Sequence, residues 1–285
     1  MASTPTSGYS RSSRLSRFSR SIVTAIALCG LTGLAHAHAD LERQIQSVTE
    51  QIAVAPSALL YLKRGELHHE HDEYAPALAD YAQAEKLDPT VDAVRLARAR
   101  TFFKSGQLKP ARDVLDRYLE TKPNHADAFL LRARVLAGLK QYPAAVHDFD
   151  RTLTVATHAL PEWYIERSQA VVAAGEPLAA LTGLDDGIAR LGNLVTLQNA
   201  AIGIELQLHR YDDALARVDR VLSTLQRRES WLVRRGEILE TAARGAEARR
   251  AFAEALTLIE QLPAHHRDAQ SIRDLQARLQ TKLKT

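Results

Sequence analysis

Glu73-Tyr74-Ala75-Pro76-Ala77-Leu78-Ala79-Asp80-Tyr81-Ala82-Gln83-Ala84, closed by Leu87-Asp88-Pro89, decides the fold. It has the spacing of an amphipathic helix, with small and bulky apolar residues on one face and a proline to stop it. The stretch recurs along the chain. Ala77 has counterparts at Ala111, Ala145, Ala180, Ala214 and Ala248, in steps of 34, 34, 35, 34 and 34 residues. A second series keeps phase with it: Gly65, Ala99, Ala133, Ser168, Ile202 and Gly236. A third is bulky: Tyr81, Leu115, Phe149, Leu184, Val218 and Phe252. Three series in phase over six copies predict a solenoid, in which each repeat buries its apolar face on its neighbours.

The local chemistry of each copy agrees. Leu59 to Leu62 and Gly65 mark a first helix, and Tyr74, Ala77, Tyr81 and Ala84 mark a second. Small residues at the crossing let two helices approach closely, and bulky neighbours fill the space beside them. Pro76, Pro110, Pro143 and Pro177 all fall in the first turn of a second helix, where proline costs no hydrogen bond. The fifth copy departs from the pattern, with Ile202 where a small residue is expected and Val221 in place of alanine. On the N-terminal side, Leu41, Ile45, Val48 and Ile52 share one helical face behind Asp40, and Pro56 ends that segment. After Pro263, Ile272, Leu275, Leu279 and Leu283 share another face. These two segments read as capping helices over residues 40–57 and 263–285, with six repeats over 58–262 between them.

Tyr61-x-x-Arg64-Gly65, Tyr74-x-x-Ala77-x-x-x-Tyr81-x-x-Ala84 and Leu87-Asp88-Pro89 resemble the tetratricopeptide repeat, whose 34-residue period is well known. The resemblance covers residues 58–262. It implies an all-α fold, a right-handed α-solenoid of helix-turn-helix repeats, with a concave groove that binds a peptide or a partner domain. Pentatricopeptide repeats have a similar length and bind RNA, but the Tyr-x-x-Ala-x-x-x-aromatic pattern favours the tetratricopeptide reading. Charge points the same way. The formal net charge is +3, and taking away the four positive charges of Arg11, Arg14, Arg17 and Arg20 leaves −1 for residues 40–285. A nearly neutral body offers no electrostatic case for nucleic acid.

Residues 1–39 read as a secretory signal peptide. Arg11 to Arg20 form a basic stretch without acids, Ile22 to Ala35 are apolar, and Ala35-His36-Ala37 and Ala37-His38-Ala39 are small-x-small cleavage sites. The apolar run is short for a membrane span. Export, most simply to a bacterial periplasm, is the expectation, with no stable membrane span after cleavage. An organelle transit peptide and an uncleaved anchor are the alternatives. Cys29 is the only cysteine, so the body of the chain has no disulfide. Leu28 before it is too large for a lipidation signal.

Motifs for chemistry are missing: there is no GxSxG, GxxxxGK or CxxC, so no enzyme activity and no cofactor are expected. His68-His69-Glu70-His71 offers metal-ligand side chains, but no second His/Cys cluster completes a site, and His68 takes the register place of Phe102 and Leu136. The plain reading is a repeat interior followed by a polar turn. The competing one is a metal-binding or catalytic accessory protein; self-association of the array is a third.

In the resembled family, the concave face comes from the first helices. One series there is Glu66, Arg100, Arg134, Gln169, Gly203 and Glu237, with Lys104 one turn beyond Arg100 and Phe103, Leu96, Leu130 and Ile165 beside them. Arg100, Arg134 and Lys104 would attract an acidic peptide or carboxylate, and the apolar neighbours would set the fit. The alternative is that Arg100 pairs with Glu66 and only keeps the groove soluble. Leu62 and Glu66 stand where the carboxylate clamp of cytosolic co-chaperones has Lys and Asn, so chaperone tails are not the expected partner.

Overall fold

The structure is a computed structural model that describes residues 40–267 and 269–284. The leader read over residues 1–39 lies outside them. The described residues are helical throughout, without strands. They divide after Gln107 into two compact units.

The first unit holds α1 (residues 40–54), α2 (Ala58–Glu70), α3 (Tyr74–Leu87) and α4 (Asp92–Lys104). α1 lays Val48 and Ile52 on Leu67 of α2. α2, α3 and α4 share a core of Ala58, Leu62, Ala77, Tyr81, Ala84, Val94 and Ala97. The second unit starts with α5 (Leu108–Thr121), α6 (Ala126–Gly138), α7 (Tyr142–Val155), α8 (Pro161–Ala173) and α9 (Pro177–Leu191). It continues with α10 (Val195–Gln207), α11 (Tyr211–Leu222), α12 (Glu229–Thr241), α13 (Gly245–Glu260), the single turn α14 (Ala264–Arg267) and α15 (Gln270–Lys284). From α5 to α13 each helix packs on the next, and Leu279 of α15 joins the core of α12 and α13.

Every first helix ends in the same way. Asp72, Gly106, Lys140, Gly175, His209 and Ala243 have φ between 56° and 91°, one in each helix-turn-helix unit. The amide after each reaches back to a carbonyl five residues earlier. Glu73 N donates to His68 O at 2.8 Å, Gln107 N to Phe102 O at 2.8 Å, and Arg244 N to Leu239 O at 2.8 Å. These are Schellman caps, which satisfy carbonyls at the helix end and reverse the chain into the second helix. Only two of the six positions are glycine, so four side chains sit in a left-handed conformation that costs about 1 kcal/mol or more.

The close helix crossings rest on pairs of small and large residues. A Cβ added at Gly65 would fall 2.5 Å from the Tyr81 ring, and one at Gly236 would fall 2.3 Å from the Phe252 ring. In the fifth repeat the bulk moves to the first helix, and Ile202 and Val218 are both fully buried.

An ion ladder runs along the repeats. Arginine precedes the small-residue series at Arg64, Arg98, Arg132, Arg167 and Arg235. Arg132 is the fullest case. Its Nε and Nη2 hold buried Asp148 of α7 at 2.6 and 2.9 Å, and its Nη1 donates to Asp116 of α5 at 2.8 Å. Arg64 grips Asp80 likewise at 2.8 and 2.6 Å and donates its third nitrogen to Thr49 of α1 at 3.1 Å. Repeat five transposes the charges. Ala201 replaces the arginine, and Arg217 of α11 stands in the register place of Asp80 and Asp148. Arg217 donates to Glu205 at 2.6 Å and to Asp185 at 2.7 and 3.1 Å. Bidentate pairs such as Arg132–Asp148 offset much of the cost of taking charge out of water, whereas Glu205 accepts through Oε1 alone and its buried Oε2 has no hydrogen-bond partner among the described residues.

Candidate binding groove

In the first unit, α2 and α4 present Glu66, His69 and Glu70 beside Arg100 and Lys104. Arg100 and Lys104 are exposed and Phe103 is half-buried, whereas Leu96 is only 8% exposed and belongs to the core. Among the described residues Arg100 makes no hydrogen bond or ion pair. It acts on Glu66 through space: burial and Glu70 raise the Glu66 carboxyl above its ordinary value, and Arg100 opposes them. Burial, then Lys104, pushes the His69 imidazole down. His69 Nδ1 lies 2.8 Å from the Thr101 hydroxyl. Behind it, burial pushes the Tyr81 phenol up to about 12, against a hydrogen bond with Thr101.

The other histidines of that cluster face away. His68 Nδ1 lies 2.6 Å from Glu73 Oε2 and His71 Nδ1 lies 3.1 Å from Glu73 Oε1, at the turn into α3. These bonds hold the Glu73 carboxyl below its ordinary range. Among the described residues no group of three or more His, Cys, Asp or Glu is placed to hold a metal ion.

In the second unit, Arg134 is already engaged. Its Nε and Nη2 donate to Glu166 of α8 at 2.7 and 2.8 Å, which raises the guanidinium further above its ordinary value. The fork that would clamp a partner's carboxylate holds one from the next repeat instead. Leu130, 8% exposed, packs with Ala133, Leu136, Ala145 and Phe149 and leaves little surface for a ligand. Gln169 is exposed and Ile165 half-buried, and both line open space.

Two cavities meet at Gln169. One of about 220 Å³ lies between α6, α7 and α8, beside the Arg134–Glu166 pair, with Tyr142 and Phe149 in its wall. The other, about 280 Å³, lies between α8 and α10. Ile165, Val172, Ala173, Ala200 and Ile204 make it apolar, and Ser168, Gln169 and Gln207 supply polar groups. This is the composition of a ligand cleft: an apolar floor with few hydrogen-bonding groups at its edge. Val172, Ala200, Ile204 and Gln207 were not singled out from sequence. The signal was there in the small residues Ala173, Ala200 and Gly203 on facing helices. A Cβ at Gly203, in the register place of Arg134, would have nothing within 4 Å.

The sequence model of the tetratricopeptide repeat matches residues 68–135. Tetratricopeptide repeat protein 13 of Homo sapiens is 32% identical over 89 residues, 31% of this chain and 10% of that protein. The chain spans about a tenth of the length of the curated relatives it matches. A tetratricopeptide repeat protein from Parabacteroides merdae ATCC 43184 has a similar structure, with a TM-score of 0.54 at 17% identity over 86% of this chain and 94% of that one. YrrB, described as a TPR protein with an unusual peptide-binding site, has a TM-score of 0.52 at 18% identity over 63% of this chain and 92% of its own. No helix among the described residues is long and apolar enough to cross a membrane.

Proposed function

The chain is a tetratricopeptide-repeat protein, and from that premise we propose that it is a non-catalytic adaptor holding a peptide segment of a partner protein in the groove of its first helices. Such repeats are in general protein–protein interaction scaffolds, and nothing in the geometry or the comparisons points to catalysis. The observation that carries the reading is the apolar cavity between α8 and α10. An apolar side chain of an extended peptide would fill it, and Gln169 and Gln207 at its edge would hydrogen-bond the peptide backbone. The peptide-binding site of YrrB is a property of that protein and supports the class of function by likeness of fold.

Arg100 and Lys104 in the first unit would draw acidic residues of the partner towards α4, a contribution to encounter rate more than to affinity. Arg134 takes no such part, because Glu166 neutralises it. The Arg-rich apolar leader supports export, with the partner in the bacterial cell envelope. A photo-crosslinking amino acid at Gln169 of the full chain, expressed in cells, tests this reading. It is expected to trap a protein partner that is lost when Ile204→Arg fills the cavity. Undiminished crosslinking in the folded Ile204→Arg variant would move the interface off this groove. Fractionation of the cells tests the location: recovery of the chain in the cytoplasm with residues 1–39 intact would refute export.

A further inference from the structure

The own-repeat carboxylate of the ladder is absent in repeats two, four and six, where Val114, Gly183 and Ala251 stand, and only repeat four has no side chain there. Asp80 and Asp148 each grip the arginine of their own repeat, and Gly183 stands at the same register. Arg167, whose carboxylate is thus missing, turns its Nε to Asp150 of α7 at 2.5 Å. Neither Nη1 nor Nη2 makes a hydrogen bond among the described residues; Arg64 and Arg132 use all three nitrogens, and Arg98 and Arg235 use one each. Nη1 sits 2.3 Å from where a Cβ on residue 183 would be. A cavity of about 440 Å³ opens at this place between α7, α8 and α9. Leu153 and buried Tyr164 form its apolar part, Thr154 adds a hydroxyl, and Arg190 and Asp186 bring one charge of each sign. Arg190 donates one bond, to Leu153 O at 3.1 Å.

We propose that this cavity is a binding site for a small amino acid-type zwitterion, whose carboxylate pairs with the unbonded nitrogens of Arg167. The volume is that of a small-molecule site, not of a packing fault. A guanidinium with two free donors, 20% exposed at the side chain, is matched by a planar carboxylate in the fork geometry its sister repeats already use. Asp150 and Asp186 would repel a simple anion and would receive the ammonium of a zwitterion. A glycine in mid-helix costs about 1 kcal/mol against alanine, and here it lets the Arg167 guanidinium lie close against α9 at the cavity. The site shares no lining residue with the α8–α10 cavity and does not depend on the peptide-binding reading.

Titration calorimetry of the full chain with glycine, L-serine and 4-aminobutyrate tests the proposal, with the N-acetyl and methyl-ester form of each as single-charge controls. At least one zwitterion is expected to bind, and loss of either charge is expected to weaken it tenfold or more. Gly183→Asp supplies the ladder carboxylate within the chain, and only the flexible tip of Arg167 must move to admit it. It is expected to raise the melting temperature and to abolish binding. Arg190→Gln, at an exposed position, is expected to weaken binding tenfold without altering the fold. No heat with any zwitterion, equal binding of an acetylated form, or wild-type affinity in both Gly183→Asp and Arg190→Gln would overturn the assignment.

Discussion

Gly236→Ala and Gly203→Ala make the same chemical change in mid-helix and are expected to shift stability in opposite directions. Alanine is favoured over glycine in a helix interior by about 1 kcal/mol. At Gly203 nothing opposes that gain, because the new methyl group meets nothing within 4 Å. At Gly236 the methyl group would fall 2.3, 2.5 and 2.7 Å from three carbons of the Phe252 ring. That ring is fully buried in the core of α12, α13 and α15, so it cannot swing into solvent. Forcing one extra carbon into a packed core costs about 1–3 kcal/mol, and three contacts this short place Gly236 at about 2–3 kcal/mol, above the propensity gain. The expected net loss is about 1–2 kcal/mol at Gly236 against a gain of up to about 1 kcal/mol at Gly203. Urea unfolding followed by helical circular dichroism and by tryptophan fluorescence reads both, since Trp231 packs on the affected core. A double variant sharpens the test. Phe252→Leu in the Gly236→Ala background recreates the Ala99 and Leu115 pair of repeat two. It is expected to lose about 1 kcal/mol less than the two single changes added together. Equal or greater stability of Gly236→Ala would refute the close-approach account of the helix crossing.

Lys140→Gly and Ala243→Gly relieve side chains held at φ near 60°, and each is expected to stabilise by about 0.5–1 kcal/mol in the same unfolding assay. Asp148→Ala strips a nearly fully buried carboxylate from Arg132 while Asp116 remains, and a loss of about 3 kcal/mol is expected from equilibrium unfolding. Glu73 has its folded-state carboxyl value lowered by His68 and His71, so its contribution is present above the ordinary glutamate range and fades as pH falls through the folded value. Glu73→Gln should therefore be less stable than wild type at neutral pH, with the gap closing under acid; a gap that widens on acidification would reverse that sign.

The fold was open to reading because its determinants repeat. A 34-residue period in three side-chain series is visible in the letters, and so are the prolines at N-terminal turns. The Schellman caps were not, since Asp72, Lys140, His209 and Ala243 do not announce a left-handed backbone as glycine does. The groove was read less fully than the fold. Ile165 and Gln169 line open space, but the register that Arg100 and Arg134 share says where they stand and not what they pair with. Arg134 meets Glu166 across a stacking contact 32 residues long in sequence, and that pairing depends on how neighbouring helices slide past one another. Leu96 and Leu130 share the repeat register of groove residues yet point into the core by a fraction of a helical turn. Gly183 was legible in principle, for alignment of the repeats sets it beside Asp80 and Asp148.

The ladder also has a direction. Carboxylates at Asp116, Asp150, Asp185 and Asp219 each reach forward to an arginine of the following repeat, whichever helix carries it. A connector with a donor on one side and an acceptor on the other is the kind of contact that lets copies polymerise head to tail without closing. Here both terminal valences are occupied or erased. In the first unit Arg64 gives its remaining nitrogen to the hydroxyl of Thr49 on α1. In the second, the place that would carry the next carboxylate is Ala253. A filament of stacked chains would therefore have to form without the ion pairs that join repeat to repeat inside each one.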